Sequence, residues 1–354
     1  MTDVVNSAPN RRAEFLYLGG AGSVEQALAQ RFGIPFKPVE MGALRGKRPW
    51  QIFWNGLRLM IGLVQAYKAI GSFRPHAILV SGGYGSVPAI LAGRLRKVPV
   101  LVYLPDIEPG LAVRQLSRWV PRVAVSFPET ASAFAKDKVI VTGYPVRREF
   151  YNVSKSAARA ALGLEPGLPV VMIFGGSRGA HSLNVAVEGC LAELLQESQV
   201  IHVSGPNDYE AARLKQEELP PHLKSRYRLY AYLHEEMVQA LASADLVVAR
   251  AGASVLGEFP ALGLPSILVP YPYSGQHQQA NADYLVRHGA AISLADERLG
   301  QELLSAVLGL LQDRNRLVEM GRSAAALRRP EAAHRIAAEL TALADAASAQ
   351  NWSG

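Results

Sequence analysis

The sequence predicts an α/β chain of two Rossmann-like halves with parallel sheets facing a cleft. Three observations carry that prediction. Short runs of aliphatic and β-branched residues recur along all 354 residues, without the in-out alternation of half-exposed strands, as strands covered on both faces require. Amphipathic stretches separate the runs and complete βα units. Each run ends near glycine or proline, which punctuate strands.

Taken in order, Phe15-Leu16-Tyr17-Leu18, Ala77-Ile78-Leu79-Val80, Val98 to Val102, Val123 to Ser126 and Val139-Ile140-Val141 read as strands of a first half. Val170 to Phe174, Val200 to Val203, Leu246-Val247-Val248 and Ser266 to Val269 read as strands of a second. Between them, Tyr151 to Pro169 carries a short helix signal and then Gly and Pro punctuation, so the chain divides into residues 1–150, a hinge at 151–168 and a second unit at 169–328. Residues 329–354 form an Ala-rich helix and a tail. There is no repeat of solenoid period and no DNA-reading motif, so nucleic acid is not an expected partner.

Composition narrows the function classes. With 49% hydrophobic and 19% charged residues the chain buries a large core and is no disordered linker. A single cysteine, Cys190, excludes disulfide scaffolds and multi-thiolate zinc sites. The net charge of +7 conceals an asymmetry: residues 1–150 hold 20 basic and 9 acidic side chains, whereas residues 151–354 hold 17 and 21. A basic first half suits an anionic partner. The polar start has no secretory h-region. The longest apolar region, Trp50 to Ile70, is interrupted by Asn55, Arg58, Gln65 and Lys68. Each charge at a bilayer centre costs ~2.5–3.5 kcal/mol, so this is no membrane span. The chain reads as soluble or peripheral.

Three constellations could carry chemistry. Strand Val170 to Phe174 feeds Gly175-Gly176-Ser177-Arg178-Gly179-Ala180 and then a helix. Such a turn aims backbone N–H groups and the positive helix end at an anion, or is a plain βα turn. Its spacing is not Gly-x-Gly-x-x-Gly, which argues against a nicotinamide site. Arg250-Ala251-Gly252-Ala253-Ser254-Val255-Leu256-Gly257-Glu258 repeats the arrangement, with Glu258 either a helix-start acid or an acceptor for ribose hydroxyls. Gln276-His277-Gln278-Gln279-Ala280-Asn281 offers amides that suit sugar hydroxyls or merely water. There is no Asp-x-Asp pair for a metal-bridged diphosphate, and Glu331 with His334 reads as a solvated pair, so no metal or cofactor is expected.

In their order, GGSRGAHSLN, ADLVVARAGASVLGE, GLPSILVPYP and HQQANA resemble the C-terminal half of the MurG family, UDP-N-acetylglucosamine transferases that make the second lipid-linked peptidoglycan precursor. Gly42 to Lys47, Ser81-Gly82-Gly83-Tyr84-Gly85-Ser86-Val87-Pro88, Val125 to Thr130 and Val141 to Arg147 are similar to its N-terminal motifs, and the resemblance spans about residues 13–330. It implies a GT-B architecture in which the second half binds UDP-N-acetylglucosamine and the first binds a polyprenyl-diphosphate-linked muramyl-pentapeptide. Inverting, metal-independent transfer would follow, in service of the cell wall, cell shape and division. By position, Ser177 would meet the donor diphosphate and Arg147 the nucleotide. Glu258 would hold the ribose beside the turn at Ala253 and Ser254, Gln278 the sugar, and the backbone near His234 the uracil. Gly82, Gly83 and Tyr84 would lie at the acceptor phosphates.

Departures from the family pattern bear on the acceptor side. The asparagine of its HEQN strand end is Asp106, that of TGNPVR is Tyr144, and the glutamine of GGSQGA is Arg178. Its N-terminal GGTGGH-like loop, with the histidine proposed as general base, has no counterpart, since the first histidine is His76. The expectation is therefore that a strand and that loop belong ahead of Met1. Failing that, Asp106 is the candidate base. A transferase acting on another lipid such as diacylglycerol, or a non-catalytic sugar-nucleotide-binding half needing a partner chain, is the alternative.

The basic half gains a reading from Trp50 to Met60, where Gln51, Asn55 and Arg58 share a narrow stripe beside a wide apolar face, with Arg45, Lys47 and Arg48 just ahead. Cations next to Trp50 and Trp54 suit an anionic membrane surface, each adding about 1 kcal/mol there. Arg45 to Trp54 is expected to face the membrane, on its cytoplasmic side, and Leu57 to Ile70 to face the core.

Overall fold

The computed structural model describes residues 13–41, 49–83, 85–176, 180–272 and 277–351, with the side chains of that set except 49–53, 350 and 351. Arg45, Lys47, Arg48, Tyr84, Ser177 and the side chain of Trp50 lie outside the described residues. The chain forms two units, Met1–Pro145 with Glu331–Gly354, and Val146–Pro330.

In the first unit, β1 (Tyr17–Gly19) and β2 (Phe36–Pro38) flank α1 (Val24–Arg31) and pair in parallel. After α2 (Pro49–Phe73) come β3 (Ile78–Val80), α3 (Ser86–Leu95), β4 (Val100–Leu104), β5 (Arg122–Val125) and β6 (Val139–Val141). These four strands form a parallel sheet in sequence order. Strand β4 shows why its run lacks alternation. Val100, Val102 and Leu104 join a cluster with Ile90 of α3, while Leu101 and Tyr103 turn to the opposite face. There they meet Ala333, Ile336 and Ala337 of the terminal helix, Ala332–Asn351. Both faces are covered by helices, so every position is apolar.

Among the described residues this sheet is in two pieces, β1–β2 and β3–β6. One core serves both, because Ala66 and Ile70 of α2 pack with Leu18 of β1, Val39 beyond β2 and Ile78 of β3. Yet Ile78 and Leu79 stay half-buried, whereas all of β4 is buried.

The second unit holds six parallel strands: β7 (Val170–Phe174), β8 (Gln199–Val203), β9 (Tyr227–Tyr230), β10 (Leu246–Ala249), β11 (Ser266–Leu268) and β12 (Ala291–Ser293). Their order is β12-β11-β10-β7-β8-β9. From the first strand, β7, the chain winds outward to β8 and β9, then returns to β10 on the other side. This doubly wound sheet has its switch point between β7 and β10, where ligands meet the strand ends. The helices that matter below are α4 (Lys155–Ala161), α5 (His181–Glu188), α6 (Tyr209–Glu218), α7 (Met237–Ser243), α8 (Val255–Leu262) and α9 (His277–Arg287).

Two boundaries differ from the sequence reading. Residues 151–168 belong to the second unit, because Asp245, ahead of β10, accepts from Lys155 at 2.7 Å and Arg159 at 2.5 Å on α4, and from the Val170 N–H at 2.8 Å. The terminal helix is not a separate segment: its apolar stripe covers β4, so it belongs to the first unit. Leu57 to Ile70 also divides. Ala66, Ala69 and Ile70 are buried, but Leu57, Met60, Ile61 and Val64 are exposed in line with Trp54.

Candidate functional site

The C-terminal ends of β7 and β10 build the centre of the second unit's site. After β7 the backbone passes through Gly176 at φ 93°, a left-handed conformation that side chains resist. It then enters α5, capped by Ala180 in extended backbone. After β10, Gly252, Ala253 and Ser254 lead into α8, and the Ser254 carbonyl accepts from Glu258 N at 2.9 Å. Glu258 thus stands in the first turn of α8, where the helix dipole favours a carboxylate. Burial nevertheless pushes its carboxyl up to about 7, with the charge of Arg147 pulling it part of the way back. Arg147 is exposed, its guanidinium 5.3 Å from the centre of the buried Phe150 ring. Two residues far apart in sequence are thereby brought within charge range of each other.

Helix α9 closes one side. Gln278 Oε1 accepts from Tyr271 N at 2.9 Å, so this amide holds the loop after β11, and buried Asn281 donates to the Ala251 carbonyl at 3.0 Å, tying α9 to the β10 turn. His234, after β9, is exposed and packs edge-on to Tyr232 at 4.6 Å. Its backbone N–H donates to Glu236 Oε2 at 3.2 Å.

Sequence reasoning passed over three groups here. Arg250 is buried at the end of β10, 2.6 Å from Asp296 and donating to Ser182 Oγ at 2.7 Å. His202 is buried in β8 and Asp208 follows it. The faint signal was a polar residue inside an apolar run for His202 and at the end of one for Arg250; Asp208, beyond Ser204-Gly205-Pro206-Asn207, carried none.

In the first unit Gly82 and Gly83 follow β3 and Asp106 follows β4. Gly82 and Gly83 have φ of 80° and 76°, and a Cβ on Gly82 would come within 3.2 Å of Leu104. The Gly82 carbonyl accepts from Ser86 Oγ. Asp106 lies just past β4, half-buried, its carbonyl accepting from Thr130 Oγ1 at 3.3 Å. Behind it the Tyr103 hydroxyl bonds Ser126 Oγ at 2.7 Å. Burial raises the Tyr103 phenol well above its ordinary value; the Ser126 bond opposes this, and the nearby charges of Tyr144 and Asp106 add to it. Asp106 and Tyr144, both departures from the family pattern, therefore share one corner. Among the described residues no group of three or more His, Cys, Asp or Glu could hold a metal ion, and no helix is long and apolar enough to cross a membrane.

Residues 9–125 match the glycosyltransferase family 28 N-terminal domain and residues 170–336 the glycosyltransferase family 28 C-terminal domain. A UDP-N-acetylglucosamine--N-acetylmuramyl-(pentapeptide) pyrophosphoryl-undecaprenol N-acetylglucosamine transferase of Roseiflexus sp. (strain RS-1) is 39% identical over 373 residues, covering 94% of this chain and 84% of that one. The protein of the same name from Halothermothrix orenii is 35% identical over 326 residues, covering 90% and 88%. Among solved structures, Acinetobacter baumannii MurG matches with a TM-score of 0.74 at 24% identity, over 96% of this chain and 94% of that one. A UDP-GlcNAc 2-epimerase from Neisseria meningitidis bound to UDP-GlcNAc matches at 0.67 and 15%, over 96% and 95%. At such identities the structures speak for the fold alone, which is the GT-B class of two Rossmann-like units. The sequence matches speak for descent: the chain belongs to glycosyltransferase family 28 and, within it, to the MurG family of N-acetylglucosamine transferases.

Proposed function

We propose that this protein transfers N-acetylglucosamine from UDP-N-acetylglucosamine to a lipid-linked N-acetylmuramyl-pentapeptide acceptor in peptidoglycan synthesis. The observation that carries the reading is Glu258, at the glycine turn after β10 and within charge range of Arg147, at the switch point of the second unit. A nucleoside diphosphate needs an acceptor for its ribose hydroxyls and positive charge for its phosphates, and this corner supplies both. Glu258 takes the ribose, Arg147 the phosphates together with the start of α5 and Ser177, and Gln278 the sugar end. Ala253 and Ser254 supply backbone along the nucleotide, and the chain at His234 meets the uracil edge once Glu236 releases that N–H.

In the reaction a sugar hydroxyl of the acceptor attacks the anomeric carbon from the face opposite UDP. The new C–O bond forms as the bond to the diphosphate oxygen breaks, which inverts the centre, and the electron pair leaves on UDP. Arg147 and the helix start stabilise that developing charge. The hydroxyl proton goes to a base, for which we put forward Asp106; to Gly82, Gly83 and Tyr84 we assign the acceptor phosphates. Asp106→Asn is expected to lower kcat by about 10²–10⁴ and to leave UDP affinity unchanged. Full turnover in that variant would remove Asp106 from the role.

The exposed stripe of α2 supports a peripheral seat on the cytoplasmic face of the membrane. Trp54, Leu57, Met60, Ile61 and Val64 lie on one side of the helix with Arg58 and Lys68 exposed beside them, the pairing of apolar and basic residues that anionic lipid attracts. Arg45, Lys47, Arg48 and Trp50 extend that surface in sequence. The direct test of the whole reading is UDP release from UDP-N-acetylglucosamine with a polyprenyl-diphosphate-linked muramyl-pentapeptide. Release only with diacylglycerol would keep the fold and change the acceptor. UDP binding with no turnover on either lipid would make the chain a binding half.

A further inference from the structure

Around the start of α5 lies a buried polar network with no part in the roles above. His202 is 0% exposed. One ring nitrogen, Nε2, is 3.0 Å from Asn184 Oδ1 and the other, Nδ1, is 2.7 Å from the Tyr227 hydroxyl. Asn184 Nδ2 donates to the Ser204 carbonyl at 2.8 Å and to Asp208 Oδ2 at 2.7 Å. Both of these partners only accept, so the amide oxygen must be the atom facing His202, and His202 must carry its proton on Nε2. That leaves Nδ1 bare, and Tyr227 donates to it. Burial pushes the imidazole down to about 4, against the opposing charge of Asp208, in keeping with a neutral ring. Every polar atom of the chain Tyr227–His202–Asn184 is satisfied in one arrangement only.

The network ends on the first turn of α5. Asp208 Oδ1 is 2.9 Å from His181 Nδ1, so a single carboxylate holds His181 and Asn184 together. From the opposite side Ser182 is held by Asp296 at 2.8 Å and by Arg250 at 2.7 Å. Leu183, between them, is fully buried. All four opening residues of α5 are thus fixed from outside the helix, at the end that follows the glycine turn.

We propose that Asp208, backed by His202 through Asn184, is a positioning residue for the donor diphosphate, holding the start of α5 where its N–H groups meet the phosphates. The proposal rests on the reading of the second unit as the UDP site. Its test separates the diphosphate from the rest of the ligand, because uridine lacks the phosphates. Binding of UDP and of uridine to the full chain is measured by titration calorimetry for wild type, Asp208→Ala and Asp208→Asn. Asp208→Ala is expected to bind UDP about tenfold more weakly and uridine as well as wild type does. Asp208→Asn keeps an oxygen that can accept from Asn184, and should stay within about threefold of wild type for UDP. The proposal is overturned if Asp208→Ala loses affinity for UDP and uridine alike, which marks a general loosening, or if it binds UDP as tightly as wild type or more so. If wild type itself binds neither compound, the donor reading fails and the proposal falls with it. If wild type binds both, the outcome for Asp208→Ala bears on the proposal alone.

Discussion

Glu258 combines a favourable place, the first turn of α8, with an unfavourable one, a crowded corner that raises its carboxyl to about 7. Removing it should cost the charge-assisted hydrogen bonds to ribose, ~1.5–3 kcal/mol, so Glu258→Ala is expected to weaken UDP binding about ten- to a hundredfold in calorimetry. The raised value also sets a pH dependence. Between the ordinary carboxylate range and about 7 the folded chain holds a proton that the unfolded chain has lost, so stability falls as pH rises across that window. Glu258→Gln has no such group, and its melting temperature should vary less than wild type between pH 5 and about 7.5. A carboxylate just inside a helix, after a glycine turn, could be picked out from the sequence. That Arg147 would come within charge range of it could not be read from spacing, only from the resemblance that puts both at the nucleotide, since their proximity is a product of chain path. His202 was equally hidden: one histidine in the run Val200-Ile201-His202-Val203 reads as a core residue until its two ring partners are seen.

At the scale of elements, α2 reverses the usual division of sizes. Its buried stripe carries small residues, Gly62 against the Glu40 carbonyl and Ala66 and Ala69 against the core, while its exposed stripe carries Trp54 and Met60, 56% and 58% exposed. A hydrophobic pattern records apolar character on both stripes and not which neighbour approaches, so the sequence reading assigned Leu57 to Ile70 wholly to the core. Small residues let α2 come close to α3, and a larger side chain there should not fit: Ala66→Leu is expected to destabilise the first unit by about 1–3 kcal/mol in denaturant unfolding. Trp54→Ser with Met60→Ser should leave the unfolding midpoint unchanged and reduce flotation with anionic vesicles, and added salt should weaken the wild-type interaction. Equal recovery with neutral vesicles would count against the basic residues. Strands β2, β9 and β12 were missed for a plainer reason: each is three or four residues long, and Pro38, Arg228 and Ser293 interrupt their apolar runs. Asp245 shows the opposite case, a bond set no pattern reveals. Burial alone would raise its carboxyl, but Lys155, the Val170 N–H and Arg159 together hold it below the ordinary range. Its contribution is therefore present above the usual carboxylate value and lost as pH falls through the depressed one. Asp245→Ala is expected to cost the second unit about 1–3 kcal/mol near neutral pH, read from the unfolding midpoint.

For the molecule as a whole, the class and the alternation of strand and helix were legible because parallel strands covered on both faces have few ways to be written. The exact division of the chain was not. Hydrophobic runs announce strands, but they do not say which unit a helix will rejoin, and the terminal helix returns to β4 after all of the second unit has been built. That path has a consequence in the order of synthesis. On the ribosome the second unit, continuous from Val146 to Pro330, can close before translation ends, while the first waits with Leu101, Tyr103 and Ala124 uncovered. At roughly 5–20 residues per second the interval lasts on the order of ten to forty seconds. A nascent chain arrested before Glu331 should accordingly resist limited proteolysis across Val146–Pro330 and be cut readily in its earlier half. Supplying the terminal helix as a separate peptide should restore protection there, because the cover for the β3–β6 sheet follows the whole second unit along the chain.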